Sequence, residues 1–409
     1  MRTRCVVAGG GPAGMVLGLL LARGGVDVVV LEKHADFLRD FRGDTVHAST
    51  LRLLDELGLG ERFAALPQSR LQNFELPQPD GTLLTLGDFR RLRPPYDHVA
   101  MVPQWDFLDL LADAGRQEPR FTLLMSTAAT DLLREGRRVV GVRTRTADGV
   151  EDEVRADLVV ACDGRGSVLR RAAGLRPREY PVPFDTWWFR LPRTEAEQRE
   201  QASLVPTLVG REILLSFPRT DYFQVAYFNR KGLDAQLRAE GVERFRARVA
   251  RLRPGFADRL DALTSTDDLH HLDVRLDRLR RWHRPGLLLL GDAAHAMSPA
   301  GGVGINLAVQ DAVAAATLLA GPLRERRLLE SHLAAVQRRR WWPTAAIQLA
   351  QRGLHRLVFE PALAGRTPLA FRVVSAVARR VPAVTVVPAR LIAFGPRPEH
   401  APAFARRAA

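Results

Sequence analysis

Val6-Val7-Ala8-Gly9-Gly10-Gly11-Pro12-Ala13-Gly14 is the stretch that decides the fold, and Val28-Val29-Val30-Leu31-Glu32 completes it. A short apolar strand, Cys5–Ala8, runs into a turn with glycines at 9, 11 and 14. An apolar helix then extends from about Ala13 to Ala22. Gly9 permits the tight turn, Gly11 lets the backbone approach a pyrophosphate, and Gly14 lets helix and strand pack closely. The free amides and positive end of the helix, where Pro12 and Ala13 lie, seat the pyrophosphate. A second strand, Val26–Leu31, ends in Glu32 beside Lys33, at the expected distance of about twenty residues. A carboxylate there accepts hydrogen bonds from the ribose hydroxyls of an adenosine and repels a 2′-phosphate. The site therefore suits FAD or NAD and not NADP.

Two further glycine-rich stretches follow. Ala161-Cys162-Asp163-Gly164-Arg165-Gly166-Ser167, ending at Arg170, closes a strand over Ala156–Cys162. Asp-Gly alone is a common turn pair. The third stretch is a run of four leucines, Leu287–Leu290, then Gly291-Asp292-Ala293-Ala294-His295. It continues through Pro299-Ala300-Gly301-Gly302-Val303-Gly304 into an apolar helix from about Ile305 and Asn306. Glycines packed before an apolar helix give the backbone room to approach a flat ring or a phosphate, with helix amides aimed at it. Asp292, at the strand end, is placed to bind a hydroxylated chain. In this order the three stretches point to one long dinucleotide, FAD.

The set resembles the signature of the single-component aromatic flavoprotein monooxygenases, the para-hydroxybenzoate hydroxylase-like group, over roughly residues 3 to 350. The resemblance implies an α/β fold: a Rossmann-like, discontinuous FAD-binding domain, a β-sheet-rich substrate domain and a C-terminal helical segment. Carried over by residue, Gly9, Gly11, Gly14 and Glu32 hold the adenosine half of FAD. Gly291 and Asp292 meet the ribityl chain, and the loop and helix start with Pro299, Gly302, Gly304, Ile305 and Asn306 hold the flavin ring by backbone contacts. Asp163 and Gly164 lie near the pyrophosphate and are tied to the nicotinamide cofactor. Arg42, in Phe41-Arg42-Gly43-Asp44, resembles the family's arginine beside the mobile flavin. Gln104, in Val102-Pro103-Gln104-Trp105, stands where many members have arginine, and glutamine still donates a hydrogen bond.

The activity implied is hydroxylation or epoxidation of an aromatic or polycyclic small molecule. NADPH or NADH reduces the flavin, O2 adds, and a flavin hydroperoxide passes one oxygen to the substrate. The cofactor carries the hard chemistry and the protein supplies position and a dry site, so no catalytic triad is needed. Arg42, His295 and Pro299 are the catalytic candidates, with His295 also readable as a structural hydrogen-bonding group. His98, Tyr222, Gln224 and Tyr227 are candidates to face the substrate. A reductase or dehydrogenase resembling the prenyl reductases is the alternative, and a non-catalytic flavin-binding protein stays open. A flavin-dependent halogenase fits less well: that family has a separated Trp-x-Trp pair and an essential lysine, whereas Trp187 and Trp188 are contiguous and Lys33 sits beside the adenosine acid.

At 409 residues the chain exceeds what a single core organises, so two lobes are expected. The formal net charge of +14 is nearly all arginine, since lysine occurs only at 33 and 231. With no aromatic-interleaved basic patch, nucleic acid is not the expected partner. A positive field draws anions such as a nicotinamide cofactor or a phenolate. Cys5 and Cys162 read as small residues of buried strands, with no disulfide framework and no metal site, which suits a reducing cytoplasm. Glycines break the apolar run after Met1-Arg2-Thr3-Arg4 that imitates a leader. No stretch reads as long and apolar enough to span a bilayer. A monomer or homodimer is expected.

The nucleotide elements are interrupted twice. The expected FAD lobe comprises residues 1–70, 100–179 and 280–345, the substrate lobe 71–99 and 180–279, and a capping segment 346–409. Thr186–Leu191, Glu212–Phe217 and Tyr222–Phe228 read as strands around a turn at Arg219-Thr220-Asp221, and Val242–Leu252 as an amphipathic helix. Alternation sets Tyr222, Gln224 and Ala226 on one face and Phe223, Val225 and Tyr227 on the other. Which face meets the flavin is open. Pro361, Pro368, Pro382 and Pro388 break the tail, favouring a cap over a long membrane-surface helix.

Overall fold

Runs of valine and leucine with no polar alternation make strands that bury both faces, the pattern of a parallel sheet. The computed structural model, which describes residues 1–38, 45–77, 83–198, 204, 206–366, 368 and 380–407, has such a sheet at its centre. Its order is His283–Arg284, Leu287–Leu289, Glu151–Ala161, Arg2–Ala8, Val28–Leu31 and Phe121–Leu124. The antiparallel pair Thr127–Glu135 and Arg138–Thr146 attaches to Glu151–Ala161. Val7 pairs with Val160 and with Val30, and Val160 pairs with Leu288. Five parallel strands therefore stop level, at Ala8, Leu31, Leu124, Ala161 and Leu289.

Helices Pro12–Arg23 and Gly304–Arg324 pack together on one face of this sheet. Met15, Leu17, Leu19 and Leu20 are fully buried there, each contributing roughly 1.5–3 kcal/mol relative to exposure. Gly304–Arg324 overturns one expectation, because by length and composition it is apolar enough to cross a bilayer. Two-thirds of its apolar window is buried, between Pro12–Arg23 and the helix Glu330–Leu354, which explains the composition as that of a core helix. A second departure is small: strand Glu151–Ala161 stops one residue before Cys162, which is only half-buried.

A second, antiparallel sheet has the order Pro206–Val209, Glu212–Pro218, Tyr222–Arg230, Phe184–Pro192, His270–Leu272. One face packs on helix Val242–Leu252 through Trp187, Phe189, Val225 and Tyr227 against Phe245 and Val249. On the opposite face Phe184, Ala226 and Phe228 pack with Met297, Val303 and Leu307. The face carrying Gln224 and Ala226 is thus the one turned to the third glycine stretch. Tyr227 points away from it, its hydroxyl donating to Glu212 Oε1 at 2.6 Å, and so does not share the face of the other expected residues, Tyr222 and Gln224. Trp187 is buried on that far side, with Nε1 donating to Asp234 Oδ1 at 2.9 Å.

Helix Glu330–Leu354 runs uninterrupted past residue 345 and through the buried Pro343. Beyond it the tail returns to the parallel-sheet layer. Arg339 and the fully buried Arg340 hold Glu399, and Arg23 donates to the Ala405 carbonyl at 3.0 Å.

Candidate functional site

Gly9 has φ +107°, and a Cβ there would meet the Cys162 carbonyl oxygen at 2.4 Å. A Cβ on Gly14 would lie 1.9 Å from the Gly9 carbonyl oxygen. Both glycines are demanded by the protein's own packing. Gly11 differs: nothing lies within 4 Å of its Cβ position. No side chain caps the helix that starts there, and no acid stands in its first turn, so its leading amides have no side-chain partner. Glu32, 2% exposed, accepts from the Gly10 amide at 2.9 Å and the His34 amide at 3.0 Å. Its carboxylate is locked beside the turn, while Lys33 is exposed.

Register brings the other two stretches to the same edge. The Gly9 amide donates to Leu31, Cys162 to Ala8, and Leu290 to Ala161, at 2.8 to 3.0 Å. Arg165 Nε lies 3.6 Å from Asp292 Oδ2, joining the middle stretch to the third. Arg170, 6% exposed, donates to the carbonyls of Ala293 (3.2 Å) and Arg165 (2.6 Å), clamping both turns. Asp163 accepts from the Leu169 amide through Oδ2, and its Oδ1 is buried with no hydrogen-bond partner. Burial and the neighbouring Asp163 push the Cys162 thiol well above its ordinary pKa, which disfavours the thiolate there.

Asp311 organises the third turn from behind. It is fully buried, accepts from the Gly291 amide at 3.2 Å and Arg340 Nε at 3.0 Å, and lies 2.5 Å from His295 Nε2. Burial alone would raise its pKa; His295 and Arg340 together outweigh that and hold it low. His295 is 1% exposed and stacks near Trp282, which gives it a positioning geometry. The loop that follows is pinned from two sides. Gln351 donates to the carbonyls of Ser298 and Ala300, each at 2.9 Å, and His355 Nε2 lies 2.9 Å from Ser298 Oγ. Thr45 donates to the Gly302 carbonyl at 3.1 Å, and His47 Nε2 lies 3.0 Å from that same oxygen. Pro299 accepts from the Gly302 amide at 2.9 Å, closing the turn. Helix Gly304–Arg324 starts without a side-chain cap, and Asn306 Oδ1 accepts from Ser49 and Thr50.

Across from the loop, the inner face of the five-stranded sheet carries Thr186, Trp188, Arg190, Phe217, Tyr222 and Gln224. Trp188 Nε1, Tyr222 Oη and Thr186 Oγ1 are buried there without hydrogen-bond partners among the described residues. Arg190 lies 4.6 Å from the Tyr222 ring and 5.6 Å from the Trp105 ring. Gln104 and Trp105, which open helix Gln104–Arg116, are thereby brought to the sheet. His98 is 7% exposed and 3.3 Å from Asp97, and burial lowers its pKa. Arg42 lies outside the described residues.

Sequence reasoning missed Thr45, His47, Arg165's pairing, Asp311, Arg340, Gln351 and His355. Apart from Arg165, which lies in the second glycine stretch, none belongs to one of the three motifs, and their partners are at separations that no local spacing signals.

Level strand ends that bring an uncapped helix start, a locked acid and two more glycine turns together define a dinucleotide-binding α/β protein. Residues 2–350 match the family described as FAD binding domain, and the chain belongs to that family as an FAD-dependent monooxygenase. It is 40% identical over 343 residues to the 6-methylpretetramide 4-monooxygenase of Streptomyces rimosus, covering 82% of this chain and 79% of that one. It is 32% identical to a 12-dehydrotetracycline 5-monooxygenase/anhydrotetracycline 6-monooxygenase of Streptomyces rimosus subsp. rimosus, over 76% of this chain and 61% of the relative. Among solved structures, an anhydrotetracycline hydroxylase from Streptomyces rimosus superposes with TM-score 0.75 at 25% identity, over 96% of this chain and 76% of that one.

Proposed function

We propose that the chain hydroxylates a fused-ring aromatic molecule held between the inner face of the five-stranded sheet and the loop Pro299–Asn306. The observation that carries this reading is that inner face: buried, aromatic, and holding three polar atoms without protein partners opposite the glycine loop. A fused-ring substrate bearing several oxygens would satisfy such groups, and the tetracycline-type names of the relatives support the same class.

The residues present fit FAD. Gly11 leaves space above an uncapped helix, and Asp163 Oδ1 is an unpartnered acceptor at the adjoining turn. In this reading Gly9, Gly11, Pro12, Ala13, Gly14, Glu32 and Lys33 surround the adenosine and pyrophosphate, with Asp163 and Gly164 beside them. Gly291 and Asp292 take the ribityl chain, and Pro299, Gly302, Gly304, Ile305 and Asn306 take the ring, with Gln104 at its edge. Bound FAD, reduced by NADPH or NADH, supplies activated O2. The chain's residues orient the substrate and exclude water; no side chain need break a bond. We divide the lobes as 1–70, 100–179 and 280–345 for FAD, 71–99 and 180–279 for substrate, with a tail, 346–409, that begins inside the continuous helix Glu330–Leu354. Two free cysteines support a cytoplasmic setting for a monomer or homodimer.

The test is a product screen by mass spectrometry with fused-ring phenols, O2 and NADPH or NADH, seeking a gain of one oxygen. Stopped-flow absorbance should show substrate speeding flavin reduction. Reduction at one unchanging rate without oxygenated product would instead favour a reductase. Asp292→Ala should lose flavin; full FAD content in that variant would show the third turn misassigned.

A further inference from the structure

A cleft of about 720 Å³ opens between the strand pair Arg178–Tyr180 and Leu276–Arg278 and the exposed side of helix Glu330–Leu354. Arg178, Arg278, Arg280 and Arg338 line it, together with Tyr180, Trp341 and Trp342. Arg278 lies 4.6 Å from the Trp341 ring, and Arg352 lies 4.7 Å from Tyr180. Trp341 and Trp342 are 40% and 45% exposed, so neither indole is explained by core packing. Among the described residues no carboxylate pairs with Arg178, Arg278, Arg280, Arg338 or Arg352. Burial lowers the Arg278 pKa; Tyr180 opposes this, and the like charges of Arg178 and Arg352 add to it. Arginine stays protonated at any ordinary pH, so the crowding is an uncompensated positive charge.

We propose that this cleft binds the phosphate-bearing half of the nicotinamide dinucleotide, its arginines holding the phosphates and an exposed indole stacking on the adenine. The inference rests on the monooxygenase reading, which requires such a donor. Arginine forks match phosphate oxygens two bonds at a time, and aromatic faces accept any base. The volume suits one small molecule rather than a polymer. The open mouth suits a ligand that must leave after each turnover. The floor of the cleft also reaches the site. Leu279 lines it, and its amide donates at 2.8 Å to the carbonyl of Ala294, two residues beyond Asp292.

The FAD-loaded protein is titrated with ADP-ribose and with 2′-phospho-ADP-ribose while tryptophan fluorescence is followed, and KM is measured for NADH and NADPH. Saturable quenching is expected. Arg338→Gln and Trp342→Leu, both at exposed positions, should each weaken binding about tenfold and raise the donor KM alike. FAD content, melting temperature and the KM for the aromatic substrate should stay unchanged. Equal affinity in both variants, equal binding of adenosine lacking phosphate, or binding of polyglutamate but not ADP-ribose overturns the proposal. An enzyme that still oxygenates with unchanged donor KM in the variants overturns the cleft alone. Variant-sensitive ADP-ribose binding in a protein that oxygenates nothing overturns the monooxygenase reading and leaves the cleft standing.

Discussion

The level ends of the parallel strands and the inner face of the antiparallel sheet solve opposite problems. At the strand ends the polar groups are mostly taken by the chain itself: Glu32 by two amides, Gly291 by Asp311, Gly302 by Thr45 and His47. On the inner sheet face Thr186 Oγ1, Trp188 Nε1 and Tyr222 Oη are buried with nothing to bond. At the strand ends, the groups left over are the uncapped helix start after Gly11 and Asp163 Oδ1. The sheet face keeps more of its polar atoms in reserve, at a cost in stability of roughly 1–3 kcal/mol for each buried unsatisfied group.

Gly14→Ala should break the first region most severely. Its Cβ meets a backbone oxygen that no side-chain motion relieves. A loss of about 3 kcal/mol or more, with no bound flavin, is expected in thermal melts and visible spectra. Gly11→Ala is its control. With open space around the new methyl, the apoprotein should melt as before while FAD affinity falls. Retained affinity would mean the turn does not approach the cofactor.

Asp311→Asn attacks the same region from behind. It removes a buried charge shared by His295 and Arg340, at a cost of about 3 kcal/mol. Urea melts should show the loss together with weaker FAD binding, since Gly291 and His295 lose their anchor.

Acid should loosen the pinned loop next. Burial holds His47 and His355 down to about 4, from an ordinary 6.5. The folded pKa lies below the unfolded one, so the unfolded chain takes up the proton first. Their stabilisation is therefore complete above pH 6.5 and is lost as pH falls towards 4. By about pH 5 the loss is ~2 kcal/mol for each. His47→Gln should flatten the acid limb of the melting curve; an unchanged limb would remove His47 from the account.

The smallest effect on stability belongs to the second region. Tyr222→Phe deletes a buried hydroxyl that has no partner and keeps the ring in place, so melting should hold or rise, by at most about 1–3 kcal/mol. FAD content should hold while KM for the fused-ring substrate increases. If KM holds as well, this face does not read the substrate.

How much was legible follows the same division. Turns, strand ends and the acid at 32 could be placed because glycine geometry and strand register are local properties of a few adjacent residues. The pins on the loop were invisible, because Gln351, His355 and His47 reach Ser298–Gly302 across distant chain. For the apolar helix Gly304–Arg324 only the start was legible: composition records that a segment is buried, not what buries it.

By itself the sequence determined that three backbone turns follow strands and that a carboxylate ends the second strand, because backbone conformation depends on near neighbours. Only the tertiary structure decided that Gln224 and Trp188 look towards the glycine loop while Tyr227 and Trp187 look away. Alternation distinguishes two faces of a strand but cannot name them; the face is chosen by what packs against it, helix Val242–Leu252 on one side and the loop with Met297 and Val303 on the other.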